Sequence, residues 1–206
     1  MDAKSPVLAA RRGRPRSEKA QRAILEAAAE LLVAQSLAAV SVAEVAARAG
    51  VSKATIYRRW RTKELLALDA LFDAWTADHR PIHATGKLHA DLLTLLRPWV
   101  ELLRTRPYGH LLAALLAEAQ TNARFAEEYW LRLVGPRRDE ARALIEHAVE
   151  RGTASGPEIE LALDLVYGAI YHRLFHGHAP LDERFLHDVV GSAVAVLERP
   201  RPAAVD

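Results

Sequence analysis

The chain has 206 residues, half of them hydrophobic, with 28 Lys and Arg against 26 Asp and Glu and no cysteine. That length suits one or two domains with a sizeable core. The hydrophobic share argues against disorder over most of the chain, and the missing cysteines exclude a disulfide framework, a thiolate metal site and a Cys nucleophile. The net charge of +2 is unevenly spread: residues 1–64 hold 13 Lys and Arg against 6 Asp and Glu, and the remainder 15 against 20. Such asymmetry points to a nucleic-acid-binding end and a different task for the rest. No apolar run approaches the ~18 residues of a membrane span, and the basic N-terminus lacks the apolar core of a signal peptide. The expectation is a soluble cytoplasmic protein with no membrane partner.

Residues 1–16 read as a flexible basic arm. Arg11-Arg12-Gly13-Arg14-Pro15-Arg16 contains the Arg-Gly-Arg-Pro core seen in minor-groove AT-hook segments. Extended Arg14 and Arg16 side chains suit a narrow A·T groove, where the negative potential is strongest. A disordered, solubilising tail is the other reading. A first helix is expected from about Ser17 to Gln35, with Ile24, Ala27, Ala28, Leu31 and Leu32 as its apolar stripe.

Ser41 to Leu66 organises the chain. Ser41 and Glu44 have capping-box spacing, and Val42, Val45 and Ala46 form one buried face. Gly50 supplies the left-handed exit of a tight turn, and Ser52 caps the next helix. On that helix Ile56 and Trp60, four apart, face inward, while Lys53, Ala54, Tyr57 and Arg58 lie opposite. An anchored inner face with a donor-rich outer face is what a helix needs to enter the major groove.

This stretch resembles the DNA-binding segment of the tetracycline-repressor (TetR) family of transcriptional regulators. The resemblance rests on Val45-Ala46, Ala49-Gly50-Val51-Ser52-Lys53, Thr55-Ile56-Tyr57-Arg58-Arg59-Trp60 and Lys63-Glu64-Leu65. Together with the outward face, it assigns Lys53, Ala54 and Arg58 to base edges. Lys and Arg read guanine O6 and N7, and Ala offers a methyl contact to thymine. Thr55, Tyr57, Arg59 and Lys63 are assigned to phosphates, with Ser52 at the same surface.

A fourth helix is expected from Thr62 to about His79. Its apolar residues Leu65, Leu66, Leu68, Leu71, Phe72 and Trp75 are too many for one face, which suits a connector between domains. Pro81 to Gly86 reads as a loop. Helices follow from Lys87 to Arg106 and from Pro107 onward. Another begins near Ala123 and either breaks at Gly135-Pro136 or runs on, kinked, to Arg151. Gly152 to Gly156 is a turn, Pro157 opens a long helix to His176, and Asp182 leads the last helix, which ends near Arg199. The fold class is all-α, with about nine or ten helices. The domains are expected at 17–62 for the helix-turn-helix unit and 63–199 for ligand binding and dimerisation, with 200–206 a tail. The segment from Val134 to Leu197 also resembles a subgroup of the family with a Pro-opened penultimate helix and a Leu-Asp-Glu lead-in to the last.

The last two long helices are apolar nearly all round and need burial on several sides. A four-helix bundle across a two-fold axis supplies it, and the family resemblance implies the same interface. Leu165, Ile170, Leu174, Phe175, Val190, Val194 and Leu197 are its candidate residues; filling a monomer core is the alternative. On the middle helices Trp99, Tyr108, His110, Phe125, Tyr129 and Trp130 either line a pocket or serve as core. His172 and His176, at i, i+4, with His178 nearby, have a spacing that can chelate a metal, although His also favours helix C-termini. No phosphate loop, nucleophile elbow or catalytic dyad appears. The expected function is a non-enzymatic, ligand-responsive regulator, a repressor by expectation, that binds a palindromic double-stranded operator as a homodimer. An unidentified small-molecule effector releases it, and no cofactor is needed. The rival is a helical metal-binding protein or enzyme built on the three histidines.

Overall fold

Three hydroxyl side chains start the helices of the N-terminal unit. In the computed structural model, which describes residues 14–77, 82–105, 108–152, 154 and 158–198 (backbone only at 14–17 and 105), Ser41 Oγ accepts from the Glu44 backbone N–H. The Ser41 backbone N–H in turn donates to the Glu44 carboxylate at 2.9 Å. This reciprocal pair opens α2 (Val42–Arg48), which follows α1 (Arg14–Ala34). Ser52 caps α3 (Lys53–Tyr57) through Thr55 N, and Thr62 caps α4 (Lys63–Thr76) through Leu65 N. Between α2 and α3, Gly50 takes φ +66°, a left-handed conformation that L side chains seldom adopt.

The remaining described helices are α5 (Leu88–Thr105), α6 (Tyr108–Thr121), α7 (Ala123–Tyr129), a π-helical segment (Trp130–Val134), α8 (Gly135–Glu150), α9 (Ile159–His176) and α10 (Glu183–Leu197). The architecture is all-helical, with no strand among the described residues. One contiguous core runs from Ile24 on α1 to Leu197 on α10. Helix α4 packs on α1 at one side and on α6, α7, α5 and the π segment at the other, so it is the connector that its apolar circumference called for. Helix α9 packs chiefly on α10, and α5 lies against both α10 and α8.

Two local expectations change. Helix α1 begins at Arg14 rather than Ser17, so the backbone of Arg14 and Arg16 is helical and not an extended arm. Pro15 is tolerated there because the first-turn N–H groups lack intrahelical partners anyway. The rest of the arm, the tail from 200, Arg106, Pro107, Pro157 and His79 fall outside the described residues. The alternatives at Gly135-Pro136 resolve to continuity: residues 123–150 form one helical run with a π turn just before the proline. The Gly135 N–H bonds to Trp130 O, five residues back. Pro136 cannot donate and its ring crowds the preceding turn; the wider π turn absorbs both effects. A Cβ on Gly135 would lie 3.2 Å from Trp130 O, a tight contact that glycine avoids.

No described helix is long and apolar enough to cross a membrane.

Candidate nucleic-acid interface and effector cavity

The surface around α3 is built from inside outward. Ile56 and Trp60 are each 1% exposed and anchor the unit. Lys53, Ala54, Tyr57, Arg58 and Arg59 are exposed, with Tyr57 half open to solvent. Ser52 Oγ and Thr55 Oγ1 lie 3.0 Å apart, so both hydroxyls sit at the start of the helix. The Arg59 guanidinium stacks 5.6 Å from the Trp60 ring centroid, which restrains it beside α3. Basic side chains and one aromatic thus share a single open face, as a groove-entering helix requires.

Lys63 departs from its expected role. Its ammonium donates to the carbonyls of Leu37 at 2.9 Å and Ala38 at 3.1 Å, with Val40 O at 3.5 Å. It therefore clamps the turn between α1 and α2 and has no free donor to spend on a phosphate. The partner carbonyls lie 26 and 25 residues upstream, beyond the reach of a local reading.

The inner end of α3 is wired to the C-terminal half. The Trp60 indole N–H donates to Asp69 on α4 at 2.8 Å. Arg132, within the π segment, donates to both Asp69 oxygens at 2.9 and 3.2 Å and to Glu128 at 2.7 Å. Five residues on, Arg137 is 3% exposed. Its guanidinium carbon lies 3.8 Å from the Trp99 ring centroid and 5.7 Å from those of Trp75 and Tyr167. Arg137 Nε donates to Leu133 O at 3.2 Å, Nη2 donates to the Tyr171 hydroxyl, and the Tyr167 hydroxyl donates to Arg137 O at 2.7 Å.

Trp75, Leu95, Leu96, Trp99, Arg137, Glu140 and Tyr167 line a cavity of about 10 Å³, the room of a single water. Burial pushes the phenols of Tyr167 and Tyr129 well above their ordinary range, so both stay neutral beside the guanidinium.

Of the six expected pocket residues, only Trp99 lines this cavity. Tyr129 is buried within electrostatic reach of Tyr171 and Arg137. Tyr108 and Phe125 are core. His110 and Trp130 face solvent. Trp75, Arg137, Glu140 and Tyr167 line it but are not among those six: an arginine on an amphipathic helix reads as solvated, and nothing local marks Arg137 otherwise.

The expected interface residues divide. Ile170, Val190 and Leu197 are fully buried within the subunit, so they are core and not interface. Leu174 and Val194 are half-buried against the same core. Helix α6 approaches Leu174 so closely that a Cβ on Gly109 would sit 2.7 Å from it. Leu165 and Phe175 are exposed, as is Leu161. An all-round apolar helix does not reveal which face its own subunit takes. On α9, Leu161, Leu165, Gly168, His172 and Phe175 form one exposed seam at alternating spacings of four and three, the pattern of helix pairing.

The histidine rings are close, at 4.6 Å for His172–His176 and 5.1 Å for His172–His178. Yet among the described residues no three His, Asp or Glu are arranged to hold a metal ion, and the metal-based rival loses its geometric support.

A helix-turn-helix unit with an exposed basic face, joined by a shared helix to an all-helical second domain, defines a DNA-binding transcriptional regulator. Residues 24–70 match the family model for bacterial regulatory proteins of the tetR family, and 82–193 match that for the tetracyclin repressor-like C-terminal domain. The chain is 35% identical over 184 residues to the uncharacterized HTH-type transcriptional regulator YdeS of Bacillus subtilis, covering 89% of this chain and 92% of that one. It is 31% identical over 191 residues to the DNA-binding transcriptional repressor TetR of Mycobacteroides abscessus, covering 90% and 97%. Among solved structures, the TetR family transcription regulator SCO0332 superposes with a TM-score of 0.73 at 33% identity, covering 86% of this chain and 97% of that one. The chain belongs to the TetR family of transcriptional regulators.

Proposed function

We propose that the protein is a ligand-responsive repressor that binds a two-fold symmetric operator in the cytoplasm as a homodimer and lets go when a small molecule enters its C-terminal half. Lys53, Ala54 and Arg58 read base edges. Ser52, Thr55, Tyr57 and Arg59 hold the backbone around them. The exposed seam of α9 pairs with its copy across the two-fold axis, with the outer face of α10 beside it. Phosphate contacts fix register and base contacts give sequence preference.

The observation that carries the release mechanism is the hydrogen-bonded chain Trp60–Asp69–Arg132. It ties the anchor of α3 to the π segment, one turn ahead of the buried Arg137. A shift of the π segment moves α4 and Trp60 with it. In a dimer this changes the spacing of the two recognition helices, which must match a groove repeat of about 34–36 Å. A differential affinity of about 1–3 kcal/mol gives a 5–150-fold effect.

The test has two parts. Selection from random duplexes should return an inverted repeat; single half-sites would remove the dimeric reading. Compounds that raise the melting temperature are then titrated with and without that duplex. Linkage requires operator DNA to weaken an inducer by the same factor as the inducer weakens DNA, and equal affinities in both titrations would remove the release mechanism.

A further inference from the structure

The recognition helix shares a groove with α1. It measures about 500 Å³ and is lined by Gln21 and Ile24 on one side and by Thr55, Arg58, Arg59 and Trp60 on the other. Gln21 and Ile24 are three apart, so one face of α1 supplies that wall. Ile24 and Trp60 are buried and form an apolar floor. Gln21 is half-buried, and Arg58 and Arg59 are exposed.

The groove is built for an anion. Two guanidinium groups line it and no carboxylate does, among the described residues. Neither arginine has an ion-pair partner among those residues, and nothing there is hydrogen-bonded to the Gln21 amide. The amide and the Thr55 hydroxyl add neutral donors to the two charges. Arg59 is also restrained. Its guanidinium stacks 5.6 Å from the Trp60 ring centroid, and Trp60 is itself held by the 2.8 Å bond to Asp69. A phosphate that Arg59 holds without losing this stacking must come to the groove, where Gln21 forms the opposite wall.

We propose that the α1–α3 groove seats the phosphodiester backbone of the operator and that Gln21 is a positioning residue for it, donating from α1 to a phosphate that Arg59 holds from the other side. This rests on the reading that α3 enters the major groove with Arg59 on the backbone, and it brings a further helix into the contact. A backbone gripped from two helices fixes the angle at which α3 lies on the duplex. Gln21 is neutral, so its bond displaces no counterion and adds affinity without adding salt dependence. It meets no base edge, so it adds the same affinity for every sequence. These two signatures separate it from Arg58 and from Arg59.

The test measures binding of the full chain to the duplex returned by selection, and to base-substituted versions of it, over a series of salt concentrations. Gln21→Ala should weaken all of them alike, roughly three- to tenfold for each half-site, with the salt slope unchanged. Gln21→Lys places a cation where the amide was. It should tighten binding at low salt and steepen the slope by about 0.9 for each half-site, the value of one added phosphate contact. Ala34→Lys adds the same charge at the far end of α1 and should leave the slope as it was. Arg59→Ala is the reference, with weaker binding and a slope shallower by about 0.9 for each half-site. Melting temperatures of the Gln21 variants should stay native, as for other surface substitutions.

Native affinity in Gln21→Ala, or a slope in Gln21→Lys no steeper than in Ala34→Lys, would overturn the proposal. Either result beside a flattened slope in Arg59→Ala keeps the docking of α3 and removes this seat alone. An unchanged slope in Arg59→Ala removes the phosphate role of Arg59 and the seat that depends on it.

Discussion

Trp60 and Arg132, 72 positions apart in the sequence, meet on the carboxylate of Asp69, at 2.8 Å from the indole nitrogen and 2.9 Å from the guanidinium. One anchors the recognition helix and the other belongs to the π segment above the cavity. Asp69 keeps the Trp60 bond if it becomes an amide, because the amide oxygen still accepts, but the charge pairing with Arg132 is lost. Asp69→Asn should therefore retain operator affinity in the absence of ligand and lose most of the 5–150-fold release that coupling of this kind supplies. Fluorescence anisotropy of labelled operator, with and without inducer, checks it. Undiminished release would place the coupling elsewhere.

Arg58→Ala and Lys63→Ala should separate cleanly. Arg58 is exposed beside the recognition face, and its loss should cost about 1–3 kcal/mol at one position of each half-site. An unchanged ranking of operator variants would refute that role. Lys63 holds carbonyls inside its own domain, so Lys63→Ala should lower the melting temperature by removing charge-assisted bonds of about 1.5–3 kcal/mol. The salt dependence of operator binding should stay as it was, since no phosphate contact is lost.

Dimerisation and folding can also be told apart. Leu165→Glu and Phe175→Glu place a charge on the exposed seam of α9. They should give folded monomers by sedimentation, with native circular dichroism and steeply reduced operator affinity. Val190→Glu buries an unpaired charge in the core and should fail to fold. A Leu165→Glu protein that still sediments as a dimer would move the interface to another face.

Acid sensitivity has a definable source. Hydrogen bonds from Arg142 and Arg138 hold the Glu160 carboxyl below its ordinary value of 4.5. A depressed folded value means that the contribution is fully present above the unfolded value and is lost as pH falls through the folded one. Melting temperatures followed downward from pH 5 should fall more steeply for the native chain than for Glu160→Gln. Parallel curves would show that these contacts between α8 and α9 contribute nothing.

The turn in the helix-turn-helix unit gives a backbone test. Gly50 sits at φ +66°, and a Cβ added there would meet nothing within 4 Å. Gly50→Ala should therefore cost only the left-handed penalty of about 1–2 kcal/mol, read as a lower melting temperature with operator preference unchanged.

Features decided by neighbours in sequence were legible from the residues alone. Ser41 with Glu44, Ser52 with Thr55 and Thr62 with Leu65 are all three apart, and capping is a local interaction. Ile56 and Trp60 declared their inward face by helical spacing alone. Features decided across the fold were not legible. Lys63 finds its carbonyls about 25 residues away, Arg132 its carboxylate at a separation of 63, and Arg137 its phenol at 34. Nothing in the local pattern tells a buried arginine from a solvated one. The apolar circumference of α9 likewise announced burial on several sides without dividing Ile170, which faces inward, from Leu165, which faces out.

The π turn at Trp130–Val134 also fixes a phase. An α-helix turns through about 100° per residue, and a π turn takes up one residue more than the regular ladder would. That extra residue is absorbed within the one wide turn, so α8 keeps the facing that a regular ladder one residue shorter would give it. Deleting a single residue between Trp130 and Val134 would therefore let the ladder close as an ordinary α-helix with Arg137 still turned toward the Trp99 ring. The same deletion inside the regular ladder of α8 would turn every later residue by about 100° about the helix axis. The π turn is thus the place where this run, including the sixteen-residue α8, accommodates a change of length.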